Sequence, residues 1–94
     1  MKTITFECED RYEAEKLASL MSVQRDGTLW IAGVGALVRN ELVIRLKDRS
    51  AHAVVLVDAQ VAERLQQLIL DIVKDKVKVR STDSSGAMVK IILV

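Results

Sequence analysis

The side chains in this 94-residue sequence with chemical potential of their own are Cys8, the carboxylates from Glu7 to Glu15, Gly33 with Gly35, His52 and Asp58. Gly33 and Gly35 make a GxG, the opening of a phosphate-cradling loop. A dinucleotide fingerprint needs a third glycine at position 38, where Val38 stands, and no clear helix pattern follows. The pair is read as a kink or bulge in a strand, glycine's usual role there. Asp58 ends an apolar strand, a common address for catalytic carboxylates in α/β proteins. It also precedes a helical pattern, where aspartate is a favoured N-cap, and no acidic cluster, lysine motif or glycine loop surrounds it. Capping accounts for it.

His52 is the only histidine. One imidazole does not build the usual zinc site, and neither GxSxG nor a spaced Ser/His/Asp signature accompanies it. It reads as a polar residue at a strand end. Cys8 shares the parity of Ile4 and Phe6, so it reads as a small core residue. Glu7, Glu9 and Asp10 beside it oppose thiolate formation. Being the only cysteine, it forms no internal disulfide and no thiolate zinc site. Glu9, Asp10 and Glu13 lie where a helix begins and its dipole favours negative charge, so they read as a solvated helix N-terminus. No catalytic residue, metal site or cofactor is expected.

The elements that position these residues follow from hydrophobic period. Residues 2–8 alternate, with Ile4, Phe6 and Cys8 on one side, as in a half-buried strand. Asp10 and Glu13 have capping-box spacing, in which Glu13 reaches back to the cap. The following helix carries a stripe of Ala14, Leu17, Ala18 and Met21 and stops before Asp26-Gly27. Strands are expected over 28–33, 41–47 and 52–57, with residues 33–40 ambiguous and DRSA as a hairpin loop. Asp58 then caps a helix striped by Val61, Leu65, Leu68, Ile69 and Ile72. Strands over 76–82 and 87–94 flank DSSG as a turn. Tyr12 and Leu70 fall off the two stripes.

The order β-α-β-β-β-α-β-β predicts one α+β domain over residues 1–94. The expected form is a two-layer sandwich: one mixed, mainly antiparallel sheet of five to six strands with two helices on one face. In element order alone it resembles the ferredoxin-like plan extended by a strand. Helices on one face would cover Ile4, Phe6, Leu42, Ile44, Leu46, Val77, Val79, Val89, Ile91 and Leu93. The other face would present Trp30, Val43, Val54, Leu56, Met88, Ile92 and Val94. Its basic fringe is Arg45, Lys47, Lys76, Lys78, Arg80 and Lys90. An apolar centre with a charged rim is an interface composition.

Net charge is +1, from 14 basic and 13 acidic side chains, which removes the simple electrostatic case for nucleic acid. Half the residues are hydrophobic and only 3% aromatic, so the core must be aliphatic. The longest apolar run, Leu29 to Val38, is about half of the ~20 residues a membrane-spanning helix needs. With the acidic N-terminal segment and lone cysteine, a cytoplasmic protein is expected, with no membrane partner. The leading expectation is a non-enzymatic protein-interaction or regulatory domain, homodimeric through the open face. A nucleic-acid-binding module using that face is the alternative, Trp30 stacking bases among the basic residues. A small enzyme ranks third.

Overall fold

Alternation at the N-terminus becomes strand β1 (Lys2–Glu7), and the stripe beyond it becomes helix α1 (Arg11–Leu20). In this computed structural model the described residues are 2–22, 29, 31–35, 40–47 and 52–94. The chain continues through β2 (Ile31–Val34), β3 (Glu41–Leu46), β4 (His52–Leu56), α2 (Ala62–Val73), β5 (Val79–Ser85) and β6 (Met88–Leu93). The element order along the chain is therefore the expected one. The Asp26-Gly27 turn, the DRSA loop, Trp30 and residues 36–39 of the ambiguous 33–40 segment lie outside the described residues.

The expected single mixed sheet is corrected. The strands form two three-stranded sheets, β1-β6-β5 and β2-β3-β4, and every strand pair is antiparallel. The ferredoxin-like likeness therefore extends neither to the sheet nor to its strand order. The sheets touch at one bridge, Cys8 to Val57, where Glu9 N–H donates to the Leu56 carbonyl and Asp58 N–H to that of Glu7. Beyond that bridge each strand gives way to a turn and a helix, so the pairing cannot extend. Parity identifies which residues face inward but not where a sheet divides, because both halves bury the same alternating pattern.

Each sheet has its own helix. α1 packs on β5 and β6 and reaches β4, whereas α2 packs on β2 and β3. Ala14, Leu17, Ala18 and Met21 are all buried, as the stripe required, and so are Leu65, Leu68 and Ile69. These join Phe6, Leu42, Ile44, Val55, Val89 and Ile91 in one continuous core. Ile4, Leu46 and Val77 pack against it half-buried. Tyr12 is exposed, but Leu70 is half-buried rather than exposed.

The last hairpin is displaced from its expected register. DSSG looks like a turn, yet β5 runs to Ser85 and only Gly86 and Ala87 make the loop. Gly86 has φ +57 and Ala87 stays negative, the pattern of a type II′ hairpin turn. The polar residues pair with β6 through to Ser85, and one of them, Thr82, also bonds to α1. Thr82 Oγ1 donates to the Ala18 carbonyl at 2.9 Å, and Ser22 Oγ donates to the same oxygen at 3.0 Å. Lys76 to Lys78 precede the strand instead of belonging to it.

Asp10 caps α1 as expected, its carboxylate accepting from Glu13 N–H at 2.9 Å. The reading of Asp58 as the α2 N-cap is corrected: Val61 holds that position, without a side-chain cap. Asp58 instead braces the turn before the helix, accepting from Gln60 N–H at 2.8 Å through its carboxylate and from Val61 N–H through its carbonyl. At the other end α2 closes with two bonds, Asp75 N–H to Ile72 and Lys76 N–H to Asp71, the Schellman pattern. That motif puts Asp75 in the left-handed region, φ 63, where a side chain is strained. Asp75→Gly should therefore raise stability by about 0.5–1 kcal/mol, read as a higher urea midpoint at unchanged m-value.

Candidate interaction surface

The outward residues expected on one face divide between two sheets. Val43, Val54 and Leu56 lie with Arg45 and Lys47 on or beside β3 and β4. Met88, Ile92 and Lys90 lie on β6, with Val94 just after it and Arg80 on neighbouring β5. Lys76 and Lys78 stand in the segment between α2 and β5, and Trp30 falls outside the described residues. None of the described apolar members belongs to the buried core. Met88 is 40% exposed and Val94 79%, while Val43, Leu56 and Ile92 are half-buried. The basic residues are exposed.

The register identifies what surrounds Ile92. On β1 its partner is Thr3, and Lys90 pairs with Thr5; on β5 Ile92 meets Ser81 and Lys90 meets Asp83. The outer face of this sheet thus carries Met88, Lys90 and Ile92 along β6, two apolar residues separated by a lysine, flanked by Glu7, Thr5 and Thr3 on β1 and by Ser85, Asp83 and Ser81 on β5. The bulge between Val79 and Ser81 lets Val79 and Thr82 both turn inward.

The solvated helix end expected at Glu9, Asp10 and Glu13 does not hold for Glu13. The residue is 7% exposed, and its carboxylate does not reach back to the cap. It crosses to β4, accepting from Leu56 N–H at 2.9 Å, and Lys16 Nζ donates to both its oxygens at 3.1 and 3.2 Å. Lys16 Nζ also donates to the Val54 carbonyl at 3.0 Å and lies 4.9 Å from the Tyr12 ring centre. One acid and one base from α1 therefore occupy two outward backbone groups of β4, the Leu56 amide and the Val54 carbonyl. The i,i+3 spacing of Glu13 and Lys16 was the available signal, but spacing on a helix does not reveal which strand lies beside it.

Among known proteins, no family model, no curated protein and no solved structure matches this chain.

The remaining chemical candidates have structural settings. Cys8 is buried, and its thiol is pushed up to about 11 by burial and by the nearby charges of Glu13 and Asp10. It is therefore protonated at neutral pH and a poor nucleophile. Gly33 adjoins the irregularity in the β2–β3 register, in keeping with the bulge reading. Gly35 donates its N–H to the Val43 carbonyl at 2.8 Å, and a Cβ there would come within 3.3 Å of the Val43 Cβ. Close backbone approach explains that glycine. Among the described residues, no three His, Cys, Asp or Glu side chains are grouped to hold a metal ion, and no helix is long and apolar enough to cross a membrane.

Proposed function

We propose that the chain is a non-enzymatic protein-interaction or regulatory domain that pairs with a second copy of itself through the outer face of the β1-β6-β5 sheet. The observation that carries this reading is the outward placement of Met88, Ile92 and Val94, three apolar side chains interrupted only by Lys90. α1 packs on the inner side of the same strands, through Thr82 and the buried parity of β6. An apolar strand face left in water is disfavoured, and a second subunit is an economical cover. Net charge of +1 offers little long-range repulsion to oppose self-association. A lone buried cysteine suits a reducing, cytoplasmic setting.

Ile92→Glu should give a folded monomer or a much weaker dimer. A carboxylate left unpaired in an interface costs about 3–5 kcal/mol, so dissociation should strengthen roughly 100-fold or more. Sedimentation at micromolar concentration reads the result, with far-UV circular dichroism as the folding control. A wild-type protein running at the monomer mass, 10.5 kDa, removes the proposal.

The exposed basic residues favour one second reading, nucleic-acid binding by the outer strands. Such binding should retain an oligonucleotide at low salt and lose it steeply as salt rises. No retention near ~50 mM salt eliminates it.

A further inference from the structure

We propose that the free edge of β1, where it faces α2, takes an extended acidic segment of a partner polypeptide as an added strand. The two strand edges that meet at the Cys8–Val57 bridge are finished differently. On β4, the outward Leu56 amide is taken by Glu13 and the outward Val54 carbonyl by Lys16. Charged side chains blunt that edge. On β1 the backbone alternates: Cys8 N–H points to Ala87 beside β6, while the Glu7 carbonyl points away and accepts from Asp58. By that alternation Thr3 and Thr5 also turn their amides and carbonyls away from β6. Among the described residues nothing bonds those groups.

The same edge opens onto a groove of about 650 Å³. Every residue from Lys2 to Phe6 borders it, and both parities can do so only where a groove runs along a strand's edge. Its far wall is one face of α2, from Arg64 through Leu68 to Asp71. The strand wall is about 13 Å long at strand rise and the helix wall about 10 Å at helical rise. That length holds four or five extended residues.

The walls specify the occupant. Unpaired peptide groups on one side call for another extended backbone, which is strand addition. The apolar part of the lining, Ile4, Leu68 and Val77, calls for an apolar side chain at alternate positions. Lys2 and Arg64 also line the groove, and neither has an acidic partner among the described residues. The Arg64 guanidinium lies over the Phe6 ring at 5.5 Å, and the acid of this helix face, Asp71, accepts from Gln67. Lys2 and Arg64 against Asp71 leave the charged lining at a net +1, which favours a negatively charged segment. Pairing β1 with its own copy, centred on Ile4, would set Lys2 opposite Phe6 of the second copy and so beside a second Arg64. Like charges disfavour that occupant.

The probe is a fluorescein-labelled peptide of alternating glutamate and valine, six residues long, titrated against the full chain by anisotropy. Saturable binding at about 10–100 μM is expected. Two further peptides carry N-methyl groups on the valines or on the glutamates alone. Because one parity of an added strand faces β1, one should bind like the parent and the other should not. Arg64→Glu should weaken the glutamate peptide about tenfold and strengthen a lysine counterpart. Thr5→Pro removes an amide outside the β1–β6 ladder, so it should abolish binding while the domain stays folded. If that variant unfolds, the N-methyl pair still decides.

No saturation by about 1 mM overturns the proposal. So does equal binding by both N-methyl peptides, or indifference to Arg64→Glu. Protection of the Thr5 amide from hydrogen exchange that grows with protein concentration, without peptide, assigns the edge to a second copy instead. Peptide anisotropy reads this groove and sedimentation reads the Ile92 face, so the two proposals fail separately.

Discussion

Leu65→Ala should destabilise the domain by about 2–5 kcal/mol, whereas Leu70→Ala should cost about 1. Leu65 has no exposed surface, and it packs in the core that α2 shares with both sheets. Truncating it to alanine loses the transfer energy of three carbons and leaves a cavity in that close-packed core. A domain of this size has only about 5–15 kcal/mol in total, so this single change approaches the whole margin. Leu70 is half-buried, one residue beyond fully buried Ile69, and gives up less area. Urea midpoints measure both, with Leu65→Met as a volume-conserving control expected to cost under about 1.5 kcal/mol. Equal losses at 65 and 70 would mean that α2 is covered on its outer side as well, as in an oligomer.

The helical stripes were legible in the sequence because period 3.6 needs only one buried direction. Ala14, Leu17, Ala18 and Met21 sit where the spacing put them, and so do Leu65, Leu68 and Ile69. Strand parity was legible for the same reason, down to buried Val89, Ile91 and Leu93 beside less buried Met88 and Ile92. Division into two sheets was not legible. Sheet membership depends on which edges meet, and only the turns after Glu7 and Val57 stop β1 and β4 from pairing further. The strand through Asp83, Ser84 and Ser85 was hidden by its composition. Its polarity suits a turn, and it is held as a strand by pairing with β6, Asp83 with Lys90 and Ser84 with Val89.

Asp58 shows a narrower failure. A strand end followed by an apolar stripe located the helix to within a turn, but the cap position depends on local backbone geometry. The candidate surface was half legible. Outward parity identified Met88, Ile92 and Val94, but the edge of β1 and its groove with α2 carry no periodic signature. Their chemistry rests on backbone amides, which every residue shares, and on Arg64, whose place on the polar side of α2 looked ordinary.

Glu13→Ala should cost about 2–3 kcal/mol and should add a tendency to associate that Glu13→Gln lacks. Glu13 is 7% exposed, and its carboxylate accepts from one backbone amide as well as from the Lys16 ammonium. A hydrogen bond to a charged group contributes about 1.5–3 kcal/mol, and its loss leaves the Leu56 amide without its acceptor. Breaking a fully buried ion pair costs more, about 3–5, but the Lys16 side chain keeps 29% exposure and can regain water. The lower range follows. Glutamine retains an oxygen for Leu56 N–H and forgoes only the charge, so its cost should stay near 1 kcal/mol. Lys16→Ala should be milder still, and a double-mutant cycle with Glu13→Ala should show coupling above about 0.5 kcal/mol. The second effect follows from position: without Glu13 the Leu56 amide, and with Lys16 released the Val54 carbonyl, become free edge groups on β4. An unguarded edge pairs with other chains. Thermal melts read the first effect, and light scattering against concentration reads the second. Equal melting points for the alanine and glutamine variants would show that Glu13 is not the lock on this edge.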